Sequence, residues 1–281
     1  MKIRFWGTRG SIPVPGIETS IYGGNTTCVE IILNSGKTVI IDAGTGIRLL
    51  GEKLLEEGRK DDIYLLITHI HWDHILGFPF FNPIYDPSIK IYIDGNYNCL
   101  KGLKYTFDNK MGDGFFPIRF DNLRAEISYL GKIPKGPLKI DDTIIDSVPL
   151  HHPQGGMGFR FREGDKTFTF ITDNELKGEP WGGRTPEIYV EFSKNADILV
   201  HDAQYTPEEI EKRTGWGHSD YEAVYELGKK ADAKKLILFH HDPSRIDSQV
   251  KEIEDKCNSM AEKENSPIEF IAASEGSEYE L

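Results

Sequence analysis

A histidine-rich segment near residue 70 carries the side-chain types and spacing of a metal site. It reads, from residue 68 to residue 74, Thr68, His69, Ile70, His71, Trp72, Asp73 and His74. The apolar run just before it, residues 63–68, predicts a buried strand. Because side chains alternate along a strand, the first two histidines point to the same side, and the aspartate and third histidine can reach them from the following turn. Imidazole and carboxylate suit zinc, with manganese or iron as alternatives. A surface turn that merely carries polar residues is the weaker interpretation.

Six residues cannot complete two metal sites, so further ligands must come from other parts of the chain. Three candidates stand at or just after the ends of predicted strands, namely His152, Asp173 and His240. Proteins with α/β folds place their ligand sites at the carboxyl ends of strands, which favours such positions. Each of these residues alone would more often be an ordinary polar residue at a strand end. His151 and His241 are the immediate neighbours of two candidates, and they leave both choices open.

The elements that must position these residues follow from hydrophobic periodicity. Strands dominate the start of the chain, strands alternate with helices later, and this pattern occurs in both halves. Residues 95–137 have no clean period, and we interpret them as a helix followed by a loop. The predicted strands cover residues 2–6, 27–33, 38–41, 63–68, 89–93, a stretch from 125, 140–149, 158–161, 167–172, 198–200, 236–239 and 268–272, and the predicted helices cover 47–58, 221–230 and 248–262. Two β-layers flanked by helices would suit this order.

Composition restricts the class of protein and of partner. The chain has 281 residues, 33 Lys+Arg against 45 Asp+Glu, and a formal net charge of −12. No apolar run approaches the roughly 18 to 20 residues that span a bilayer, and the N-terminus has no signal core, so we expect a cytoplasmic protein without a membrane partner. The acidic balance argues against a surface that grips phosphate backbones. Cys28, Cys99 and Cys257 are widely spaced, which predicts buried apolar residues rather than disulfides or a thiolate zinc site.

The sequence resembles the metallo-β-lactamase fold superfamily over nearly its whole length, from Asp-Ala-Gly-Thr-Gly at residues 42–46, through the His-x-His-x-Asp-His segment, to His240. The resemblance implies an α/β (α+β) fold, the αββα four-layer sandwich, as one domain over residues 1–281 with halves of roughly 1–150 and 151–281. It also implies two divalent metal ions, with zinc preferred and manganese or iron as alternatives. The implied ligands are His69, His71 and His152 for one ion, Asp73, His74 and His240 for the other, and Asp173 as a bridge between them.

The same resemblance favours one member of each adjacent histidine pair. His152 is preferred over His151 because it precedes Pro153 and lies six residues before Gly158, a spacing similar to that of phosphodiesterase members. His240 is preferred because it directly follows its strand. Asp42 is expected to orient a ligand imidazole, although capping the next helix would explain it equally well.

Two adjacent cations can share and activate one hydroxide, so hydrolysis is the first functional hypothesis. Ligation by His and Asp without Cys resembles the phosphodiesterase branch, which includes cyclic phosphate phosphodiesterases and tRNA 3′-processing endonucleases. Residues 214–219 resemble a Gly-His-Ser segment of those enzymes, which implies that His218 is a general acid. A histidine that caps the following helix is the alternative. Asp73 counts among the predicted catalytic residues as well as among the ligands.

We expect a small phosphodiester substrate, such as a cyclic nucleotide or cyclic phosphate. A tRNA 3′-processing nuclease is the alternative, but residues 174–239 contain acidic stretches at 187–191 and 208–211 and no Gly-rich basic arm, so we expect no nucleic acid partner. A homodimer is left open. A metal-binding oxidoreductase or cofactor-biosynthesis protein of the same fold is a further alternative. Related oxidoreductases carry a flavodoxin domain and replace a histidine near the cluster, whereas this chain keeps His71 and has no such extension. A binding protein without catalysis would bind the metals and hydrolyse no ester.

Overall fold

The computed structural model describes residues 1–59, 61–178 and 185–281, and its strands form two mixed sheets. The strands in chain order are β1 Lys2–Gly7, β2 Cys28–Ile32, β3 Thr38–Ile41, β4 Ile63–Ile67, β5 Lys90–Gly95, β6 Glu126–Tyr129, β7 Leu138–Ile140, β8 Thr143–Pro149, β9 Met157–Glu163, β10 Lys166–Ile171, β11 Ile198–Asp202, β12 Lys235–Phe239, β13 Glu269–Ala272 and β14 Glu278–Glu280. The first sheet has the order β14-β1-β2-β3-β4-β5-β6, and the second has the order β13-β12-β11-β10-β9-β8-β7.

Helices cover the outer faces of both sheets. Those described are α1 Ile47–Glu56, α2 Trp72–Ile75, α3 Tyr97–Lys110, α4 Pro186–Phe192, α5 Pro207–Ile210, α6 Tyr221–Lys230 and α7 Asp247–Glu264. In α1, Ile47, Leu50 and Leu54 recur at helical spacing, are buried and belong to the apolar cluster on the outer face of the first sheet. Within the described residues, no helix is long and apolar enough to cross a membrane.

The core lies between the two sheets and draws side chains from both. Phe5 and Ile31 of the first sheet share one buried cluster with Phe159, Phe170 and Phe239 of the second. Each such side chain contributes roughly 1.5–3 kcal/mol on leaving water, so this interface is a main source of stability. Two further clusters lie between the sheets and their helices. The layers are therefore helix, sheet, sheet and helix, and the predicted αββα sandwich is confirmed.

Parallel pairing brings the carboxyl ends of several strands to one edge. In the first sheet β3, β4, β5 and β6 are parallel, and in the second β10, β11, β12 and β13 are parallel. The polypeptide leaves each of these strands at the edge where β/α connections form ligand sites. The predicted ligands that follow β4, β10 and β12 are thereby brought to a common region.

Several elements were missing from the sequence prediction, among them the short helices α2 and α5. β14 has only three residues and is defined by its pairing with β1. β7 and β8 form a hairpin that we had predicted as one strand over residues 140–149, because the turn at 141–142 interrupts the apolar pattern only briefly. α4 is rich in Glu, and the sequence indicates only an acidic stretch at residues 187–191 and no helix there. Cys28 and Cys257 are buried free thiols, as expected, while the side chain of Cys99 lies outside the described part of the structure.

Candidate metal centre

Turns at strand ends deliver most of the candidate ligands. Asp42, Asp173 and His240 follow β3, β10 and β12, and each has a positive φ, at 62°, 55° and 57°. This left-handed conformation turns the backbone sharply just after the strand. Aspartate and histidine adopt it several-fold more readily than most residues that have a Cβ. The side chains thus leave the sheet edge and enter the space between the two sheets.

The structure brings together all seven residues predicted as metal ligands. They form two groups whose ligand atoms lie within 4.8 Å of one another: His69, His71 and His152 in one, and Asp73, His74, Asp173 and His240 in the other. Asp173 lies between the groups. One of its oxygens is 3.6 Å from Nε2 of His69, and the other is 3.4 Å and 3.3 Å from Nε2 of His74 and His240.

The outward-facing nitrogens of the histidines are held by oxygen acceptors. Nδ1 of His74 donates to Oδ2 of Asp42 at 2.7 Å. Nδ1 of His152 donates to the Gly217 carbonyl at 3.0 Å, and Nδ1 of His240 donates to the side-chain oxygen of Gln204 at 2.9 Å. Because these hydrogen bonds keep a proton on Nδ1, the Nε2 lone pair of each neutral ring points towards the centre, as in histidines that bind metals.

Unpaired buried nitrogens test whether this arrangement fits metal ions. Nε2 of His69 and Nε2 of His74 are buried and have no hydrogen-bond partner in the described part of the chain. Nε2 of His152 faces Nδ1 of His71 at 3.2 Å, so two ring nitrogens of one group meet without an intervening acceptor oxygen. Buried polar atoms are normally paired, and converging lone pairs are stable when a cation lies between them. The donor set fits two divalent ions that share Asp173.

Burial and charge set the protonation of the group. Burial lowers the pKa of His69 well below the ordinary histidine value and that of His152 to about 4, so both are neutral ligands. Burial would raise the pKa of Asp173, but the charges of His240 and His74 outweigh it and hold that pKa well below its usual range. Burial also opposes protonation of His74, but Asp73 and Asp173 outweigh it and raise its pKa. In the metal-free protein a proton on His74 therefore balances the carboxylates, and metal binding would release it.

The remaining histidines of the adjacent pairs turn away from the centre. Nδ1 of His151 donates to the Glu175 carbonyl at 2.7 Å, and Nε2 of His241 donates to the Ala273 carbonyl at 2.8 Å. His201 is fully buried, and its Nδ1 donates to the Asp202 carbonyl at 2.8 Å. Of the two pairs, His152 and His240 are thus the members that face the other ligands.

His218 lies beside the ligands rather than at the start of a helix. Its ring stacks on that of His240 at 5.0 Å, and its Nδ1 is 3.6 Å from Oδ2 of Asp202 and 3.9 Å from Oδ2 of Asp173. The N-cap of α6 is Asp220, whose side chain accepts from the Ala223 amide. The helix-capping interpretation of His218 is therefore wrong. The same holds for Asp42, because the N-cap of α1 is Gly46 and Asp42 instead binds His74.

Several residues that hold the site were not found from the sequence. The Ser11 amide donates to Oδ2 of Asp73 at 2.8 Å, and the side-chain oxygen of Gln154 is 3.3 Å from Nε2 of His71. Gln204 lies two residues after the end of β11, and its side chain supports His240. Glu175 follows Asp173 by two residues and contacts the loop that carries His218. Nothing in the spacing of these residues indicates their partners, which lie far away in the chain.

Comparisons with known proteins show which family this chain matches and which proteins it is similar to. The family model described as "Beta-lactamase superfamily domain" matches residues 37–241. Ribonuclease Z of Pyrococcus horikoshii is 25% identical, in an alignment that covers 96% of this chain and 94% of the relative. The metallo-β-lactamase fold protein YhfI from Bacillus subtilis superposes with a TM-score of 0.73 at 17% identity and covers 100% of this chain and 99% of its own. A diphosphatase from the PhnP family superposes with a TM-score of 0.70 at 21% identity, covering 100% of this chain and 97% of its own.

The name Ribonuclease Z goes against our expectation that nucleic acid is no partner. That expectation rested on overall net charge and on the acidic stretches and missing basic arm in residues 174–239, none of which describes the local surface at the site.

Proposed function

This chain belongs to the beta-lactamase superfamily, and from that premise we propose that it is a metal-dependent hydrolase of phosphodiester bonds. The observation that carries the proposal is the pair of ligand groups joined through Asp173, built from His and Asp alone. When two divalent ions are bound, zinc being our first choice, they supply an activated water and neutralise the charge that develops on phosphate.

The chain's own residues contribute orientation and a proton. Asp42, Gln204 and the Gly217 carbonyl each hold one imidazole so that its other nitrogen faces the centre. His218 is 8% exposed and forms, with His152 and Asp173, a third and overlapping group of possible ligand atoms, but the other two groups already contain the seven predicted ligands without it. We assign it the donation of a proton to the leaving oxygen, a role for which histidine is the commonest residue. The Asp202 carboxylate lies 3.6 Å from Nδ1 of His218, where its negative charge favours the protonated ring.

RNA is the substrate we place first. The support is the alignment with Ribonuclease Z, which extends over nearly the full length of both chains. A small phosphodiester, such as a cyclic nucleotide, is the second candidate. It is favoured by the acidic stretches at residues 187–191 and 208–211 and by the likeness in fold to the PhnP-family diphosphatase.

A substrate panel with metal-loaded protein tests the proposal. We would assay bis-p-nitrophenyl phosphate, a tRNA precursor with a 3′ trailer, cyclic nucleotides, a β-lactam and a thioester, with His69→Ala as the control for contaminating activity. Hydrolysis of the phosphodiesters by the wild type alone would support the proposal, and cleavage of the precursor next to its 3′ trailer would select RNA. Turnover of only the lactam or thioester, or of nothing at saturating metal, would reject it.

A further inference from the structure

Glu175 is a buried carboxylate whose partners are backbone amides of a single loop. The loop, residues 214–218, carries His218 at its end. The Gly215 amide lies 2.9 Å from both oxygens of Glu175, and the Gly217 amide lies 2.9 Å from one of them. Glu175 is 2% exposed, and among the described residues it forms no ion pair with a basic side chain. The Gly215 and Gly217 amides thus converge on one carboxylate, so the loop binds an anion that belongs to the protein itself.

The clamped loop lies directly against one metal ligand. The Gly217 carbonyl accepts from Nδ1 of His152 at 3.0 Å, while the Gly217 amide points to Glu175. Gly217 has a φ of 87°, and a Cβ at this position would overlap the His152 ring. One residue, Gly217, therefore connects the carboxylate to the imidazole through its amide and its carbonyl, and only glycine fits between them.

A second set of contacts closes the loop on its other side. The Ser219 hydroxyl donates to the Asn174 carbonyl at 2.6 Å and accepts from the Leu176 amide at 3.0 Å. Residues 173–176 thus carry a metal ligand, Asp173, and the anchoring points for the residues on both sides of His218. Displacing the Glu175 carboxylate would loosen the loop at the point where it contacts both His152 and His218.

We propose that Glu175 is a positioning residue that holds His152 for metal binding and His218 for catalysis. Hydrogen bonds from amides to an ionised carboxylate are stronger than neutral ones, which suits a clamp that must keep a loop of two glycines in one conformation. The catalytic half of this inference rests on the proposed function, whereas the metal-binding half does not.

Metal affinity tests the first half. Glu175→Gln keeps the shape and one acceptor oxygen, Glu175→Ala removes both, and Glu163→Gln is the matched control. Glu163 is also buried and accepts from a backbone amide, that of Asn34 at 3.0 Å, at the far end of β9 from the metal centre. Zn²⁺ affinity would be measured by competition with a chromophoric chelator. We expect Glu175→Ala to lose about 10- to 100-fold in affinity at one site, as for other residues that orient a ligand histidine, and Glu175→Gln to lose less. The control should retain both affinities.

A double-mutant cycle with His218→Ala tests the second half, at saturating Zn²⁺ and on a phosphodiester with an alkyl leaving group. If Glu175 acts through His218, Glu175→Gln should reduce turnover at least several-fold in the wild type and by less than about twofold when His218 is absent. The loss in the wild-type background should also be smaller on bis-p-nitrophenyl phosphate, whose leaving group needs little protonation.

The two readouts separate the possible failures. Circular dichroism and thermal melting would establish that each variant is folded, and the isosteric Glu175→Gln serves if Glu175→Ala does not fold. Native Zn²⁺ affinity in the folded Glu175 variants, together with equal turnover losses with and without His218, would overturn the inference. Weakened Zn²⁺ binding in a protein whose wild type hydrolyses no phosphodiester would support the positioning of His152 and reject the proposed function.

Discussion

Replacing Asp42 by asparagine should weaken metal binding although Asp42 belongs to neither ligand group. Oδ2 of Asp42 accepts from Nδ1 of His74 at 2.7 Å and from the Thr68 hydroxyl at 2.8 Å, while Oδ1 accepts from the Thr68 amide at 2.8 Å. An asparagine can offer an oxygen to only one side of this arrangement. With its NH₂ towards His74, the histidine must move its proton to Nε2 and lose its ligand lone pair. With its NH₂ towards Thr68, a buried amide N–H is left without an acceptor.

The magnitude follows from the cost of either outcome. An unsatisfied buried donor costs about 1–3 kcal/mol, which corresponds to roughly 5- to 150-fold in an equilibrium constant. Residues that orient metal-bound histidines typically contribute about 10- to 100-fold in affinity. We therefore expect Asp42→Asn to lose about 10- to 100-fold in Zn²⁺ affinity at the site that contains His74, and to change the other site much less.

Chelator competition that resolves both sites would measure this loss. Asp94→Asn is the control, because Asp94 is also buried at a strand end but accepts from the Lys132 and Ile133 amides at 2.9 Å and 3.2 Å, away from the histidines. Asp42→Asn protein with both affinities within twofold of the wild type would refute the tautomer argument. Equal losses in the two variants would point to general destabilisation instead.

Three further predictions follow from the same geometry. Asp73→Ala should reduce bound metal from two ions to one per chain in elemental analysis and abolish most turnover, whereas loss of both ions would contradict the division of ligands. His218→Ala should keep both ions and lose about 10²- to 10⁴-fold in turnover on an alkyl phosphodiester, with a smaller loss on an aryl one, and equal losses would indicate positioning alone. Burial lowers the pKa of His241 to about 3 from 6.5, so its stabilising contribution is complete above pH 6.5 and is lost as the pH falls towards 3. The free energy of unfolding of the metal-free protein, measured with urea, should therefore fall by up to about 1.4 kcal/mol per pH unit because of this group. The difference in free energy of unfolding between the wild type and His241→Gln should be constant above pH 7 and change below pH 6.5. A difference that stays constant at every pH would exclude this linkage.

The part of the site near residue 70 was predictable because its ligands lie close together in the sequence. His69 and His71 are two residues apart after a strand, and the alternation of side chains alone places them together. His152, Asp173 and His240 were accessible through the rule that strand ends meet at one sheet edge, helped by the family resemblance.

The supporting contacts could not be predicted from the same patterns. The Gly217 carbonyl and His152 are 65 residues apart, and Gln204 and His240 are 36 apart. Their contacts depend on the conformation of loops, for which the hydrophobic period carries no information. β14 could not be predicted for a related reason, since a three-residue strand is defined by its pairing with β1 rather than by its own sequence.

The left-handed turns at the strand ends have a consequence for engineering and for evolution. Of the nine non-glycine residues with positive φ in the described chain, five lie at the metal centre: Ser11, Asp42, Gln154, Asp173 and His240. Each conformation costs on the order of 1 kcal/mol or more relative to glycine, and the surrounding fold sustains it. Two of the five, Asp173 and His240, belong to the ligand groups, so their side chains serve metal binding more than the fold. A selection for thermal stability alone, without metal or substrate, would therefore gain by placing glycine at these two positions, and screens for robust variants of this protein need an activity or metal-binding filter from the first round.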